Sequence, residues 1–494
     1  LTVSGTATNG TSMIDMRPVG YVIGILVIFL GLTMFAPLIV DLGEDNGHWP
    51  VFATSAAITI VSGGFLALAS SNGTHIGLDI QKTFLLTTLV WVVLSIFASI
   101  PFLLGFTNAN IVDAIFEAVS GITTTGSTVL SELDKLPKGL LLWRGILQWL
   151  GGIGIIVVAM VFLPELRVGG MQIFRAEGFD TLGKILPRAT TIAFQISIIY
   201  VGITIACGLA YVLAGMNFFD AVVHAFTTVA TGGFSNYDDS FSVFSWKVEY
   251  VAILFMILSA LPFVRYVQLI NGQGTAVFKD PQVKTFFVLI CALVLLSTLV
   301  LSLQLNLSLE LVFRKALFNI TSIITGTGYA STNYMLWGGF LVSLLFFVGL
   351  VGGCAGSTTC SVKIFRYQIV FASIASQLKR IQSPNGIFIP RYQGRQISDD
   401  ILNSVLTFFV VFFASLGILA ALLSLTGLDL ITSLSGAAAA LGNIGPGLGE
   451  TIGPDGNFSS LNKTAKWLLV AGMLIGRLEL MAVYILFTLK FWRN

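Results

Sequence analysis

The sequence predicts an all-α polytopic membrane protein. Four pseudo-symmetric repeats, each read as helix, pore helix, filter loop and helix, surround a central pore, and two further transmembrane helices precede them. Three observations carry this reading. First, 55% of the 494 residues are hydrophobic and 10% are charged, with mean hydropathy +0.90. Soluble domains carry about 25% charged residues, so most of this surface must face lipid. Second, the apolar runs 19–40, 84–106, 192–213, 283–303 and 467–487 each reach the roughly 20 residues that cross a bilayer core. Third, one pattern recurs four times: a segment too short to span, rich in small and hydroxyl residues towards its end, stops at glycine between two long apolar segments.

Taken in order, residues 1–18 read as a polar leader, small and hydrophilic over 1–12. The run 19–40 lacks a small-residue cleavage site and lies too far along the chain for a signal peptide; with the run at about 50–70 it makes the two extra helices, 19–72. The first repeat, 83–165, holds AIFEAVSGITTTG at 114–126. The second, 189–272, holds AVVHAFTTVATG at 221–232, and Pro262 predicts a kink in its second helix. The third, 283–372, holds KALFNITSIITGTG at 315–328, and the run GGCAGSTTC at 352–360 interrupts its second helix. Gly, Ser and Thr are unfavourable in a helix interior, and the run lacks the GK[ST] of a phosphate loop. The fourth, 400–494, holds TSLSGAAAALGNIG at 432–445 and carries Arg477 near the middle of its last span.

These segments make ten crossings, so both termini share one side. Basic residues after 164 (Arg167, Arg175, Lys184, Arg188) and after 362 (Lys363, Arg366, Lys379, Arg380, Arg391, Arg395), with Lys490 and Arg493, put those loops and both ends in the cytoplasm. The glycine loops then face outside. That face is acidic, with Asp113, Glu117, Asp238, Asp239 and Asp455 among its residues, as suits loop solubility and also a cation-attracting vestibule.

Non-helical backbone at membrane depth is tolerated only where it is buried in protein or lines water. Carbonyls exposed in such a loop can replace an ion's hydration shell, and the negative dipole end of the preceding helix favours a cation there. Four copies in one chain would form a ring. The cysteines Cys207, Cys291, Cys354 and Cys360 lack metal-ligand spacing, and His48, His75 and His224 are scattered, so a metal or redox centre is not expected. No nucleic-acid-binding or nucleotide-binding pattern is present in the sequence.

The stretches SGITTTGST (120–128), WRGILQWLGGIGI (143–155), TVATGGFS (228–235), ITGTGYAS (324–331), GGCAGSTTCSVKIFR (352–366), LGNIGPGLG (441–449) and GRLE (476–479) resemble the TrkH/TrkG family of potassium uptake subunits, in the wider Trk/Ktr/HKT superfamily. The resemblance covers 19–494. It implies a potassium-selective filter at Thr124, Thr125 and Gly126; Ala230, Thr231 and Gly232; Gly326, Thr327 and Gly328; and Asn443, Ile444 and Gly445. Potassium would be held at the first two positions of each triplet. In the third loop Thr325–Gly326 also fits; Gly328 is preferred because Tyr329 follows it, roughly matching Phe234 in the second loop. In related plant proteins serine in the first loop goes with sodium preference, so Gly126 points to potassium.

The resemblance further implies an intramembrane plug at Gly352, Gly353, Gly356 and Ser357, with Arg477 opposing cation passage beneath the filter. It implies a homodimer in the bacterial inner membrane, in contact with lipid, and a cytoplasmic TrkA-type partner binding ATP, ADP or NAD. No cofactor is expected in this chain; potassium is substrate. Two readings compete. A symporter coupling potassium to protons or sodium would use titratable residues at mid-membrane, where Glu479 is the only carboxylate. An intramembrane enzyme would need a nucleophile with a base, and His224 is the only histidine near that depth. Arg144 is expected to anchor the outer end of its helix, and Arg477 either to face the pore or to pair with an acid on another helix.

Overall fold

The computed structural model describes residues 15–73, 79–107, 109–161 and 189–492. The leader at 1–14, the basic residues Arg167, Arg175, Lys184 and Arg188, and Arg493 lie outside the described residues. Among the described residues the architecture is helical apart from a short antiparallel ribbon that pairs Arg391–Tyr392 with Arg395–Gln396. Among the described residues seven helices are long and apolar enough to cross a bilayer, and nine if each of two bent pairs counts as one span. This is the all-α polytopic membrane fold that composition and apolar runs predict.

The extra helices come first: Arg17–Thr33, continued by Phe35–Gly43, and Trp49–Ala69. They are tied to the rest by the buried Asp41. Its carboxylate accepts from the Gly139 backbone N–H at 2.7 Å and from His48 Nδ1 at 2.7 Å.

Four short helices follow at the centre of the repeats: Ile111–Ile122, Phe218–Val229, Leu309–Ile324 and Leu430–Gly442. Each starts on a polar cap whose side chain accepts from free N–H groups of the first turn. The caps are Asn110, Asn217, Ser308 and Asp429. The Asp429 carboxyl is held below the usual carboxylate range by its bonds to the Thr432 side chain and backbone and to the Ile431 N–H. Each short helix buries its last turn between its flanking long helices, for example Val119 to Ile122 in the first and Ala439 to Gly442 in the fourth.

Three of the long helices are broken. Trp246–Ser259 turns by 87° into Phe263–Ile270, with Pro262 at the corner as its fixed φ predicts. Gly339–Val351 ends at an irregular segment, 352–363, before Ile364–Gln382. The run 467–487, expected as one span, is not straight. Lys463–Arg477 turns by 106° into 481–487, because Glu479 (φ 59°) and Leu480 (φ 33°) leave the helical region. The two charges at this corner turn to different partners, Arg477 to the backbone oxygens of Gly151 and Thr358 and Glu479 to Lys363 and Arg366.

Candidate functional site

The four short helices end in the same backbone motif. One residue adopts left-handed φ: Thr124 (52°), Thr231 (49°), Gly326 (72°) and Asn443 (49°). The next residue's N–H reaches back five positions to the helix: Thr125 to Ser120 O (2.9 Å), Gly232 to Thr227 O (2.8 Å), Thr327 to Ser322 O (2.9 Å) and Ile444 to Ala439 O (3.0 Å). This is the Schellman ending. A glycine with positive φ follows in each: Gly126, Gly233, Gly328 and Gly445. Left-handed φ is uncommon for a β-branched residue, so Thr124 and Thr231 hold strained backbone at equivalent places.

These glycines close a ring. A Cβ on Gly126 would collide with the carbonyl oxygen of Gly232, one on Gly233 with that of Thr327, and one on Gly328 with that of Ile444. A Cβ on Gly445 would come to 3.0 Å from the carbonyl oxygen of Thr125. Each loop thus sets its carbonyl against the glycine of a neighbour, in chain order, and the fourth returns to the first. Only a residue without a side chain allows that approach at the first three glycines.

The equivalence fixes the register. The third triplet is Gly326–Thr327–Gly328, in the same register as Thr124–Thr125–Gly126. The second is Thr231–Gly232–Gly233, one residue later than the expected Ala230–Thr231–Gly232. Ala230 is the last residue with helical angles (φ −72°, ψ −9°) and precedes the turn.

Side chains break the four-fold pattern. Thr123 and Thr125 share a hydrogen bond of 2.7 Å, and Thr325 and Thr327 one of 2.8 Å. Asn443 Nδ2 donates to Thr125 Oγ1 at 2.8 Å and to Met473 O at 3.0 Å, bolting the fourth loop to the first. Behind the second loop Arg144, two turns into Lys138–Val161, is fully buried. It pairs with Glu117 at 2.8 Å, donates to Ser235 O at 2.7 Å and stacks on the Phe234 ring at 4.1 Å. His224 is packed there too, its Nδ1 against Asp220 O and its Nε2 against Ser235 Oγ. Outside the ring lies a cavity of about 100 Å³ that reaches Gly126, Gly233 and Gly328 and carries the carboxylates of Asp238 and Asp455.

Beneath the ring sits the segment 352–363. Its residues Gly352 to Cys360 are all buried, and Gly352 and Gly356 turn with φ of 75° and 74°. Phe263 N–H donates to Gly356 O at 2.9 Å, and Cys354 N–H to Ala260 O at 3.2 Å, so the segment fills the break in the second repeat. Gly353 is packed on Thr359, and Ser357 Oγ bonds Cys354 O at 2.7 Å. Arg477 faces this segment. Its guanidinium donates to Gly151 O at 3.1 Å and lies against Thr358 O and the Cys360 thiol, and its Nε has no partner among the described residues. No carboxylate pairs with Arg477 among the described residues, so the alternative of a structural ion pair is not what the structure shows. The acid next to it, Glu479, is taken by Lys363 at 3.3 Å and by Arg366. Lys363 and Arg366, expected on the cytoplasmic surface, are therefore buried, whereas Lys379, Arg380, Arg391 and Arg395 are exposed.

The sequence model of the TrkH family, described as a cation transport protein, matches residues 48–493. The chain belongs to the TrkH family. The Trk system potassium uptake protein TrkI of Halomonas elongata is 43% identical to it over 97% of both chains. TrkH of Escherichia coli K12 is 37% identical over 97% of this chain and 99% of that protein. The crystal structure of the potassium transporter TrkH from Vibrio parahaemolyticus superposes with a TM-score of 0.90 at 34% identity, over 97% of this chain and all of that one. TrkH proteins are transporters and not enzymes, which disposes of the intramembrane-enzyme reading. Among the described residues no group of three or more His, Cys, Asp or Glu could hold a metal ion.

Two residues at the ring escaped the sequence reading. Gly233 could have been found, since it stands directly before Phe234 as Gly328 stands before Tyr329. Gln148 is a polar residue inside an otherwise apolar stretch of the first repeat. It lies fully buried against the second loop, with its Nε2 donating to Gly232 O at 2.6 Å.

Proposed function

We propose that this chain carries potassium inward across the bacterial inner membrane through a channel-like pore whose selectivity filter is the ring Thr124–Gly126, Thr231–Gly233, Gly326–Gly328 and Asn443–Gly445. The observation that carries the proposal is the closed four-fold approach of carbonyl to glycine, with four helix C-terminal ends converging on it. Carbonyl rings of this kind substitute for hydration water around a desolvated cation, and the helix ends add negative potential. The relatives TrkI of Halomonas elongata and TrkH of Escherichia coli are Trk system potassium uptake proteins, which supports potassium as the substrate.

In this reading the segment with Gly352, Gly353, Gly356 and Ser357 is the gate, and Arg477 is the charge that keeps the closed path from leaking. The exposed Lys379, Arg380, Arg391 and Arg395 offer a face to a cytoplasmic TrkA-type regulator that binds ATP, ADP or NAD, and the chain works as a homodimer with both termini in the cytoplasm. Coupled symport is the weaker reading, because its one mid-membrane carboxylate, Glu479, is already neutralised by two cations.

Flux through the purified protein in liposomes, compared for potassium, rubidium and sodium, tests the proposal. Potassium and rubidium should pass faster than sodium. Equal rates for all three would sink it.

A further inference from the structure

The ring position Thr125, Gly232, Thr327 and Ile444 carries a side chain in three loops and none in the second. There a side chain arrives from outside the loop. Gln148 is completely buried. Its Nε2 donates to Gly232 O at 2.6 Å, and its Oε1 accepts from Phe234 N–H at 3.1 Å. The amide occupies the space a Cβ on Gly232 would need.

The fourth loop shows the reverse arrangement. Gln148 lies ten residues into Lys138–Val161, and Gly349 lies ten residues into Gly339–Val351. A Cβ on Gly349 would meet Ile444 Cδ1 at 2.9 Å. At the second loop a small ring residue therefore faces a large helix residue, and at the fourth a large ring residue faces a small helix residue. The corresponding places in the other two helices are Met256 and Met473, neither of which carries a side-chain N–H. Among the described residues Gly232 O is the one ring carbonyl that accepts from a side-chain amide.

We propose that Gln148 serves as the absent side chain of the second loop and that its amide, by holding the Gly232 carbonyl, sets the ion preference of the ring. The inference rests on the filter reading above. An oxygen that already accepts a hydrogen bond has less negative charge to offer a cation and less freedom to close around a smaller one. Selectivity in a carbonyl ring depends on the number and field strength of its dipoles, so one restrained carbonyl among four matters. Gln148 is a positioning residue here, acting through Gly232.

The test is the potassium-to-sodium rate ratio in liposomes holding the intact protein, for wild type, Gln148→Leu, the isosteric Gln148→Glu and Gly126→Ser. A side chain that only fills space would change total flux and leave the ratio alone. Both Gln148 variants should lower the ratio about threefold to tenfold, the equivalent of one hydrogen bond. If the leucine variant does not fold, the glutamate variant decides. An unchanged ratio in the Gln148 variants beside a shifted one in Gly126→Ser overturns the role of Gln148 alone. Unchanged ratios in all three overturn the filter reading, and this inference with it.

Discussion

The hydroxyl of Thr231 donates to the hydroxyl of Thr358 across 3.1 Å. The first belongs to the ring and the second to the segment beneath it, so one hydrogen bond joins the part that would choose the ion to the part that would block it. Thr358 also accepts from Arg477 through its carbonyl, which makes it the centre of a short chain of contacts.

Arg477→Ala removes the one buried charge, among the described residues, that faces that segment without a carboxylate partner. At about 4 Å a like charge opposes a passing cation by about 1 kcal/mol even where water screens it. Cation flux in liposomes should rise on the order of tenfold. A rate equal to wild type would count against a gating role for the guanidinium.

Gly233→Ala tests the register of the second loop. Its Cβ meets the Thr327 carbonyl, and its φ of 80° is unfavourable for alanine. Flux should fall by about tenfold or more, since the neighbouring loop must move. Ala230→Gly, a change at the position expected from sequence, should leave the ratio of potassium to sodium flux as it was. The opposite pattern would restore the earlier register.

Glu479→Gln leaves Lys363 and Arg366 buried without their counter-charge. Breaking a buried ion pair by removing one partner costs about 3–5 kcal/mol. The variant should therefore melt well below wild type when thermal stability is followed by size-exclusion chromatography in detergent. A melting point within a degree or so of wild type would mean that other groups already neutralise the two cations.

Asp429→Ala removes the cap of the fourth short helix and should cost about 1 kcal/mol at neutral pH. Folding lowers the pKa of this carboxyl. The charged cap therefore stabilises above the ordinary carboxylate value of about 3.9, and that contribution fades as pH falls through the lower folded value. The stability gap between wild type and variant should narrow in that acid range; a gap constant with pH would show that the charge contributes nothing.

Much of the fold is legible in the sequence because lipid imposes it. Long apolar runs and the recurring short segment follow from backbone groups that must bond internally at membrane depth. The second loop's register is harder to read, because TGG offers two glycines and only φ shows which one turns. The flanking aromatic residue is the usable signal, since Phe234 follows Gly233 as Tyr329 follows Gly328. The bend at Glu479 and the burial of Lys363 and Arg366 were hidden for another reason. A charge near the end of an apolar run reads as a surface residue until its partner, more than a hundred positions away, is in place. Gln148 was invisible in the same sense, since its importance lies in what Gly232 lacks.

The breaks at Ser259–Phe263, 352–363 and 477–481 meet at Thr358, which bonds Thr231 of the ring, Ser259 O and Arg477. The protein is thus built in two storeys. Above the breaks the chain is bolted by Arg144, Asn443 and the helix caps; below them lie the Glu479 cluster, the Arg265–Asp280 pair and the apolar cluster around Phe365 and Ile369. If the ring is the filter and the segment beneath it the gate, a mutation in the lower storey would alter how often the path opens without touching which ion it favours, and natural selection could adjust rate and discrimination as separate traits.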